Sequence, residues 1–160
     1  MEENKMYDID TILDMLNELY NDTETQERGI EEGKKVRNLE AFIRPYCGGR
    51  GKSVWYNCAR ILSSKSDQEL EPHIYNLLEW LADRDWPGYD IILQRLLEYK
   101  NAKDLSIVIT WRVKEAIAEK DIKWLIDMKE LLQNKNVAEN LPKETKYILE
   151  NVSWDDEDEE

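Results

Sequence analysis

The segment whose residue types come nearest to phosphate-binding chemistry is the glycine-rich run Gly48-Gly49-Arg50-Gly51-Lys52-Ser53. A phosphate-binding loop needs a glycine five residues before the glycine of its Gly-Lys pair, and it needs a preceding strand. Tyr46 occupies that position, and Ile43–Pro45 is predicted to end a helix. We therefore expect a positively charged loop that contacts an anion or an acidic partner, and no nucleotide site. The candidate contact residues here are Arg44, Arg50 and Lys52.

The only histidine, His73, and the two cysteines, Cys47 and Cys58, have side chains that can hold a metal or form a nucleophile–base pair. They lack the CxxC or HxxxH spacing that is typical of zinc sites. We predict no catalytic set, no metal and no cofactor. His73 is expected to be exposed in the first turn of its helix, and Cys58 to be a small core residue.

Three carboxylates, Asp83, Asp85 and Asp90, surround the Trp86–Pro87 turn. Paired carboxylates can carry out acid–base chemistry, but acids beside helix starts usually cap backbone amides, and we favour capping. Trp86 either packs over Pro87 or stands out as an aromatic contact at an interface, and packing is the favoured interpretation. The candidate partner-binding residues of this region are Asp83, Asp85 and Trp86.

The net charge of −13 is unevenly distributed along the 160 residues. Segment 28–60 is basic, whereas both flanks are acidic, and acidic flanks oppose binding to phosphates. A basic protein partner fits this field better. The start, MEENKMYDID, lacks an apolar run of signal-peptide length, and Leu105–Trp111 is far too short to span a membrane. We therefore expect a cytoplasmic protein.

The stretch Leu70–Tyr99 is the element around which we expect the fold to be organised. Apolar residues at helical spacing on both sides of Arg84–Gly88 predict a helix, a tight turn and a second helix. Pro87 suits the first position of the second helix, because its missing N–H is not needed there.

Apolar periodicity and capping signals predict further helices along the chain. The first runs from Ile9 to Tyr20. The second begins with a Thr23–Gln26 capping box and continues to Ile43, although Gly29 and Gly33 weaken it. Further helices are predicted through Trp55–Leu62, after a Ser66–Glu69 capping box, after an Asp104 cap, through Ile122–Leu132 and after Pro142. The helix capped by Asp104 is expected to be buried on two faces, one of which includes Trp111. Asn134–Asn140 is expected to be a polar connector. Residues 1–152 are predicted to form one domain and residues 153–160 a disordered acidic tail.

A weak repeat relates Leu81–Asp85 to Ile117–Asp121, which agree in residue type at each position. Helix pairs that recur at about 35 to 45 residues are typical of HEAT-like solenoids. Chance similarity between two amphipathic hairpins is the alternative.

Three pieces of the chain, Val54–Leu62, Lys65–Leu81 and Asp85–Leu96, resemble a bacterial family of uncharacterised small helical domains. Its marks are an Asn-Cys-Ala helix and a Leu-Leu-Glu-Trp-Leu helix that leads into a Trp-Pro turn. The resemblance covers Val54–Tyr99 and implies a compact HEAT-like fold, with no activity attached. Small acidic helical proteins of this kind also resemble, loosely, bacterial immunity proteins.

The sequence thus predicts an all-α fold of about seven to eight helices, with antiparallel hairpins stacked as a short HEAT-like α-α superhelix. The leading functional hypothesis is a non-catalytic protein-binding module, in particular an immunity-type protein that neutralises a basic toxin. One alternative is nucleic-acid binding through segment 28–60. Another is an enzyme whose site is assembled around Asp83, Asp85 and His73.

Overall fold

The computed structural model describes residues 7–45 and 50–158, and this part of the chain forms α-helices and 3-10 turns without a strand. The predicted all-α fold class is confirmed. The helices are α1 (Ile9–Met15), α2 (Thr23–Gly33), α3 (Trp55–Ser63), α4 (Asp67–Leu70), α5 (Ile74–Glu79), α6 (Tyr89–Leu97), α7 (Ala102–Ala118), α8 (Ile122–Lys129), α9 (Lys135–Asn140) and α10 (Lys143–Asn151). The 3-10 turns are Leu39–Phe42, Lys52–Val54, Glu71–His73, Trp80–Ala82, Glu130–Gln133 and Trp154–Asp158.

The first helix is shorter than its apolar pattern predicts. It ends at Met15, after which Leu16 is buried, while Leu19 and Tyr20 are exposed. The next helix, α2, is capped by Asp22, whose side chain accepts from the Thr25 N–H at 2.8 Å. The predicted capping box that begins at Thr23 is therefore wrong by one residue.

The glycines of α2 lie inside the helix because its neighbours leave no room for a side chain. A Cβ on Gly29 would lie 2.9 Å from Met15 Cβ, and a Cβ on Gly33 would overlap the Ile61 side chain. Close packing thus outweighs the low helix propensity of glycine. The helix ends at Gly33, so the predicted continuation to Ile43 is also wrong.

The central stretch contains the predicted turn, but the second helix starts later than expected. The Ser66–Glu69 capping box is confirmed on both sides. Gly88 has a left-handed φ of +86° and precedes the first residue of α6, Tyr89, so Pro87 is not at the helix start. Trp80 Nε1 donates to the Pro87 carbonyl oxygen at 2.9 Å, which holds the turn against the core.

The long helix α7 is buried on one face only. Trp111 is 54% exposed and Ile117 is 44% exposed, so the predicted burial on two sides is wrong for both. The helix follows Asn101, and Asp104 accepts from the Asn101 side chain at 2.6 Å without capping the helix.

The segment predicted as a polar connector is helical. Asn134 caps α9 by accepting from the Val137 N–H, while its amide group donates to the Tyr99 carbonyl oxygen at 3.0 Å. Farther on, Trp154–Asp158 forms a 3-10 turn next to α8, where the sequence predicts disordered chain. Residues 159–160 lie outside the described residues.

Buried apolar side chains from α1 to α10 form one cluster that extends from Ile12 to Val152. Within it α3 packs against α6, and α7 packs against α5, α8 and α9. The two segments of the weak repeat differ in environment, since Leu81 is fully buried and the corresponding Ile117 is exposed. Among the described helices, none combines the length and the apolar character needed to cross a bilayer.

Candidate functional site

Two of the predicted contact residues are not available where they were expected. Arg44, predicted as a partner contact, is only 2% exposed, and this prediction is wrong because a partner cannot reach a side chain that is buried in the interior. Arg50 forms ion pairs with Asp10, at 3.1 Å, and with Asp14. These contacts tie the end of the glycine-rich segment to α1.

The other four, Lys52, Asp83, Asp85 and Trp86, form a region that we call the turn surface. Lys52 Nζ lies 5.9 Å from the centre of the Trp55 ring, and the Trp86 ring meets Trp55 edge to face at 5.4 Å. The half-buried Trp86 therefore packs against the core. The sequence favoured packing over Pro87, whereas the contact observed is with Trp55.

Asp83 closes the turn and does not cap α6. Its Oδ1 accepts from the Asp85 N–H at 2.9 Å and from Lys123 Nζ at 3.0 Å. These two contacts, the backbone one first, lower the pKa of Asp83. Asp85 remains exposed.

Beneath the turn surface lies a buried polar group that the sequence did not reveal. Arg84 Nε donates to Asp127 Oδ1, and Arg84 Nη2 is 3.8 Å from Glu130 Oε1. Asp127 is fully buried, and within the described residues neither its Oδ2 nor the Tyr89 hydroxyl has a hydrogen-bond partner. Burial raises the pKa of both Asp127 and Tyr89.

The most exposed aromatic side chains in helices α5 and α7 lie on one surface, which we call the α5–α7 face. It consists of Tyr75 on α5 and of Ile107, Trp111 and Glu115, which follow one another at four-residue spacing on α7. Tyr75 is 39% exposed and Ile107 is 44% exposed. The sequence pattern had assigned Trp111 to the core.

Tyr75 is held in place by the buried Arg112. The guanidinium carbon lies 3.6 Å from the centre of the Tyr75 ring, and Arg112 Nε donates to the Tyr75 carbonyl oxygen at 2.8 Å. Arg112 Nη1 donates to Glu115 at 2.7 Å, and the Tyr75 hydroxyl donates to the same carboxylate. The Tyr75 hydrogen bond is the main cause of a lowered Glu115 pKa, and Arg112 adds to it.

Two of the three soft side chains, His73 and Cys58, lie in the described part of the chain. His73 is half-buried rather than exposed, and burial lowers its pKa. Cys58 lies in the core, where burial raises the pKa of its thiol to about 11, and Cys47 lies outside the described residues. Among residues 7–45 and 50–158 there is no group of three or more His, Cys, Asp and Glu side chains placed to hold a metal.

With this geometry established, the chain can be compared with known proteins. A family model described as a domain of unknown function, DUF5071, matches residues 56–160. The chain belongs to the DUF5071 family. The resemblance that was noted over Val54–Tyr99 is thus confirmed as membership of a family of unknown function, and the DUF5071 match continues to residue 160. Searches of curated proteins and of solved structures found no match.

Both surfaces lie largely within the DUF5071 match, whereas much of the basic segment 28–60 precedes it. Several cations of that segment are engaged by acids of α1 and α2. Lys34 and Lys35 pair with Glu31 and Glu32 at 3.0 Å each, and Arg60 pairs with Glu27 at 2.7 Å.

Proposed function

We propose that this chain is a non-catalytic protein-binding module, built of stacked HEAT-like hairpins, that binds a basic protein partner. Its role would be that of a bacterial immunity-type protein, which neutralises a basic toxin in the cytoplasm. The observation that carries the proposal is Trp111, which is 54% exposed in the middle of a 17-residue helix, on the same face as an ordered Tyr75.

The α5–α7 face has the properties of a protein contact. Tryptophan, tyrosine and arginine supply most of the binding energy at protein interfaces. Tyr75 is fixed by Arg112 and Glu115 before any partner arrives, so little side-chain entropy is lost when it is covered. A fixed tyrosine on α5 and an exposed tryptophan on the long helix α7 therefore favour binding.

Two carboxylates on one side of this face favour a basic partner, whereas the exposed Lys103 and Lys114 of α7 lie on its other side. The Glu79 and Glu115 side chains retain 34% and 39% exposure, whereas the Arg112 side chain that pairs with both is only 7% exposed. A partner approaching the face thus meets carboxylates before it meets the guanidinium. The net charge of −13 adds a long-range attraction for cationic proteins.

The turn surface is a second region for contact with the same partner. Asp85 is an exposed carboxylate beside Trp86, whose ring is fixed on Trp55. Partner contact by Lys52, Asp83, Asp85 and Trp86 stays a prediction. An Asp85→Lys variant tests it, because Asp85 is exposed and the reversal of charge should repel a basic partner.

The two alternative functions find less support. Nucleic-acid binding needs free cations, but the basic segment pairs Lys34, Lys35 and Arg60 with carboxylates. An enzyme site around Asp83 and His73 would need these groups to share surroundings. Asp83 pairs with Lys123, whereas Glu40 is the charged group that acts on His73.

The Trp111→Ala variant is expected to weaken partner binding by about 30-fold, because a central tryptophan at an interface contributes at least about 2 kcal/mol. The purified chain would capture partners from lysate of the native organism, and affinities would then be measured with the purified partner. The captured protein should be basic and should dissociate as salt rises.

Ile117→Ala is the matched control, since Ile117 is also exposed on α7 but lies away from the α5–α7 face. Equal binding by wild type and Trp111→Ala would contradict the proposed face. If the partner is toxic when expressed alone, co-expression of this chain should restore growth, and failure to do so would contradict the immunity role.

A further inference from the structure

Arg44 is a buried cation whose hydrogen bonds are incomplete. It follows the 3-10 turn Leu39–Phe42 and is 2% exposed. Within residues 7–45 and 50–158, its Nε and Nη2 atoms have no hydrogen-bond partner. Buried polar groups are nearly always paired, so these two donors require an explanation.

The two unpaired nitrogens form a single binding edge. Nε–H and Nη2–H point in the same direction from one side of the planar guanidinium, and this pair donates two parallel hydrogen bonds to the two oxygens of a carboxylate or phosphate group.

Among residues 7–45 and 50–158, no carboxylate forms an ion pair with Arg44. The Cys58 thiol interacts with the guanidinium but does not neutralise its charge. Burial raises the pKa of this thiol to about 11, despite the opposing influence of Arg44, so the sulfur carries a proton at neutral pH. An uncompensated guanidinium in the protein interior is strongly unfavourable.

A second cation lies near the same end of α3. Both 3-10 turns that flank residues 43–51 pack against α3. Arg44 reaches Cys58, in the first turns of this helix, and Lys52 lies over Trp55, its first residue. One buried and one exposed cation therefore lie beside the first turn of α3.

We propose that Arg44 is the central residue of an oxyanion-binding site, and that its Nε and Nη2 donate to two oxygens of a small carboxylate or phosphate ligand. Lys52 contributes attraction from the exposed side. Because Arg44 is covered, the ligand enters through a local opening of the chain. This site shares Lys52 with the turn surface but includes no residue of the α5–α7 face, and its test does not depend on the protein partner.

The test uses the full chain titrated with inorganic phosphate and, separately, with acetate, at an ionic strength held constant with chloride. The readouts are the melting temperature and the Arg44 Nε–H resonance, which a buried position should protect from exchange with water. We expect a saturable shift of this resonance and a saturable rise in melting temperature with at least one of the two anions. The more effective anion identifies the ligand class.

Two variants separate the charge from the binding edge. Arg44→Lys keeps a cation but lacks the two parallel donors, so its apparent anion affinity should fall at least about tenfold. Arg44→Met removes the charge at similar size; it should abolish the response and, in chloride alone, should be as stable as wild type or more stable.

The proposal is overturned if neither anion gives wild type a saturable response, since the Arg44 donors would then be satisfied within the protein. It is also overturned if Arg44→Met responds as wild type does, because the anion would then bind elsewhere.

Discussion

Replacing Gly88 by alanine is expected to reduce the free energy of unfolding by about 3 kcal/mol. The left-handed φ of +86° costs an alanine roughly 1 kcal/mol. The added Cβ would also lie 2.7 Å from Ala59 Cβ on α3 and 3.1 Å from Trp80 Cζ2. Relief of this overlap requires α6 to move away from α3, which disturbs the packing of both helices.

Urea denaturation of the two proteins measures this loss. A loss of only about 1 kcal/mol, the cost of the left-handed backbone alone, would show that the contact between the turn and α3 contributes nothing further.

Replacing Arg84 by methionine is expected to destabilise the protein by about 2 to 3 kcal/mol at neutral pH, because the fully buried Asp127 then loses its ion pair with the Arg84 guanidinium. We place the value below the usual range for a buried pair because the Arg84 side chain is 45% exposed. Asp127→Asn in the same background should recover much of the loss.

The same variant is expected to change how stability depends on pH. Burial raises the pKa of Asp127 above 3.8, its ordinary value, while Arg84 opposes this shift. A carboxyl whose pKa is higher in the folded state takes up its proton more readily there, so its unfavourable contribution is absent below 3.8 and grows as pH rises to the folded pKa. Without Arg84 the pKa of Asp127 in the folded state rises further, so the pH range over which Asp127 destabilises the fold becomes wider.

The difference in unfolding free energy between wild type and Arg84→Met should therefore be small near pH 4 and should increase toward pH 8, both being approximate limits. Use of the difference removes the contribution of carboxyls with lowered pKa, such as Asp67, which both proteins share. A difference that stays constant with pH would contradict the assignment to Asp127.

Local chemistry along the chain explains which parts of the fold could be predicted. The Ser66–Glu69 capping box needs only residues three apart, and α3 follows from the apolar spacing of Trp55, Cys58 and Leu62. Such features depend on residues that are close in sequence, so they can be inferred without knowledge of the fold.

Features that depend on distant neighbours could not be predicted in this way. Gly29 and Gly33 suggested a weak helix, yet they are required because Met15 and Ile61 approach them. Asn134 looked like loop sequence, but it both caps α9 and donates to a carbonyl oxygen of Tyr99.

The candidate site residues show the same difference between features set by sequence neighbours and features set by distant parts of the chain. The sequence correctly located the acceptor at Asp83 but assigned it to the wrong amide, since the Asp85 N–H is its donor. It placed Trp111 inside and Arg44 outside, and the structure reverses both. Periodicity tells which residues share a helix face, whereas only the packed neighbours decide whether that face is covered.

The glycine contacts of α2 also bear on how the molecule comes apart. Gly29 allows α2 to pack closely against α1, and Gly33 allows it to pack closely against α3. The Asn57 side chain of α3 also donates to the Leu16 carbonyl oxygen at 2.8 Å. The two helices that precede the DUF5071 match, α1 and α2, are therefore packed against and hydrogen-bonded to α3, the first helix of the matched region. Melting should consequently proceed as one cooperative event, with no stage at which the N-terminal pair has detached while the remainder stays intact.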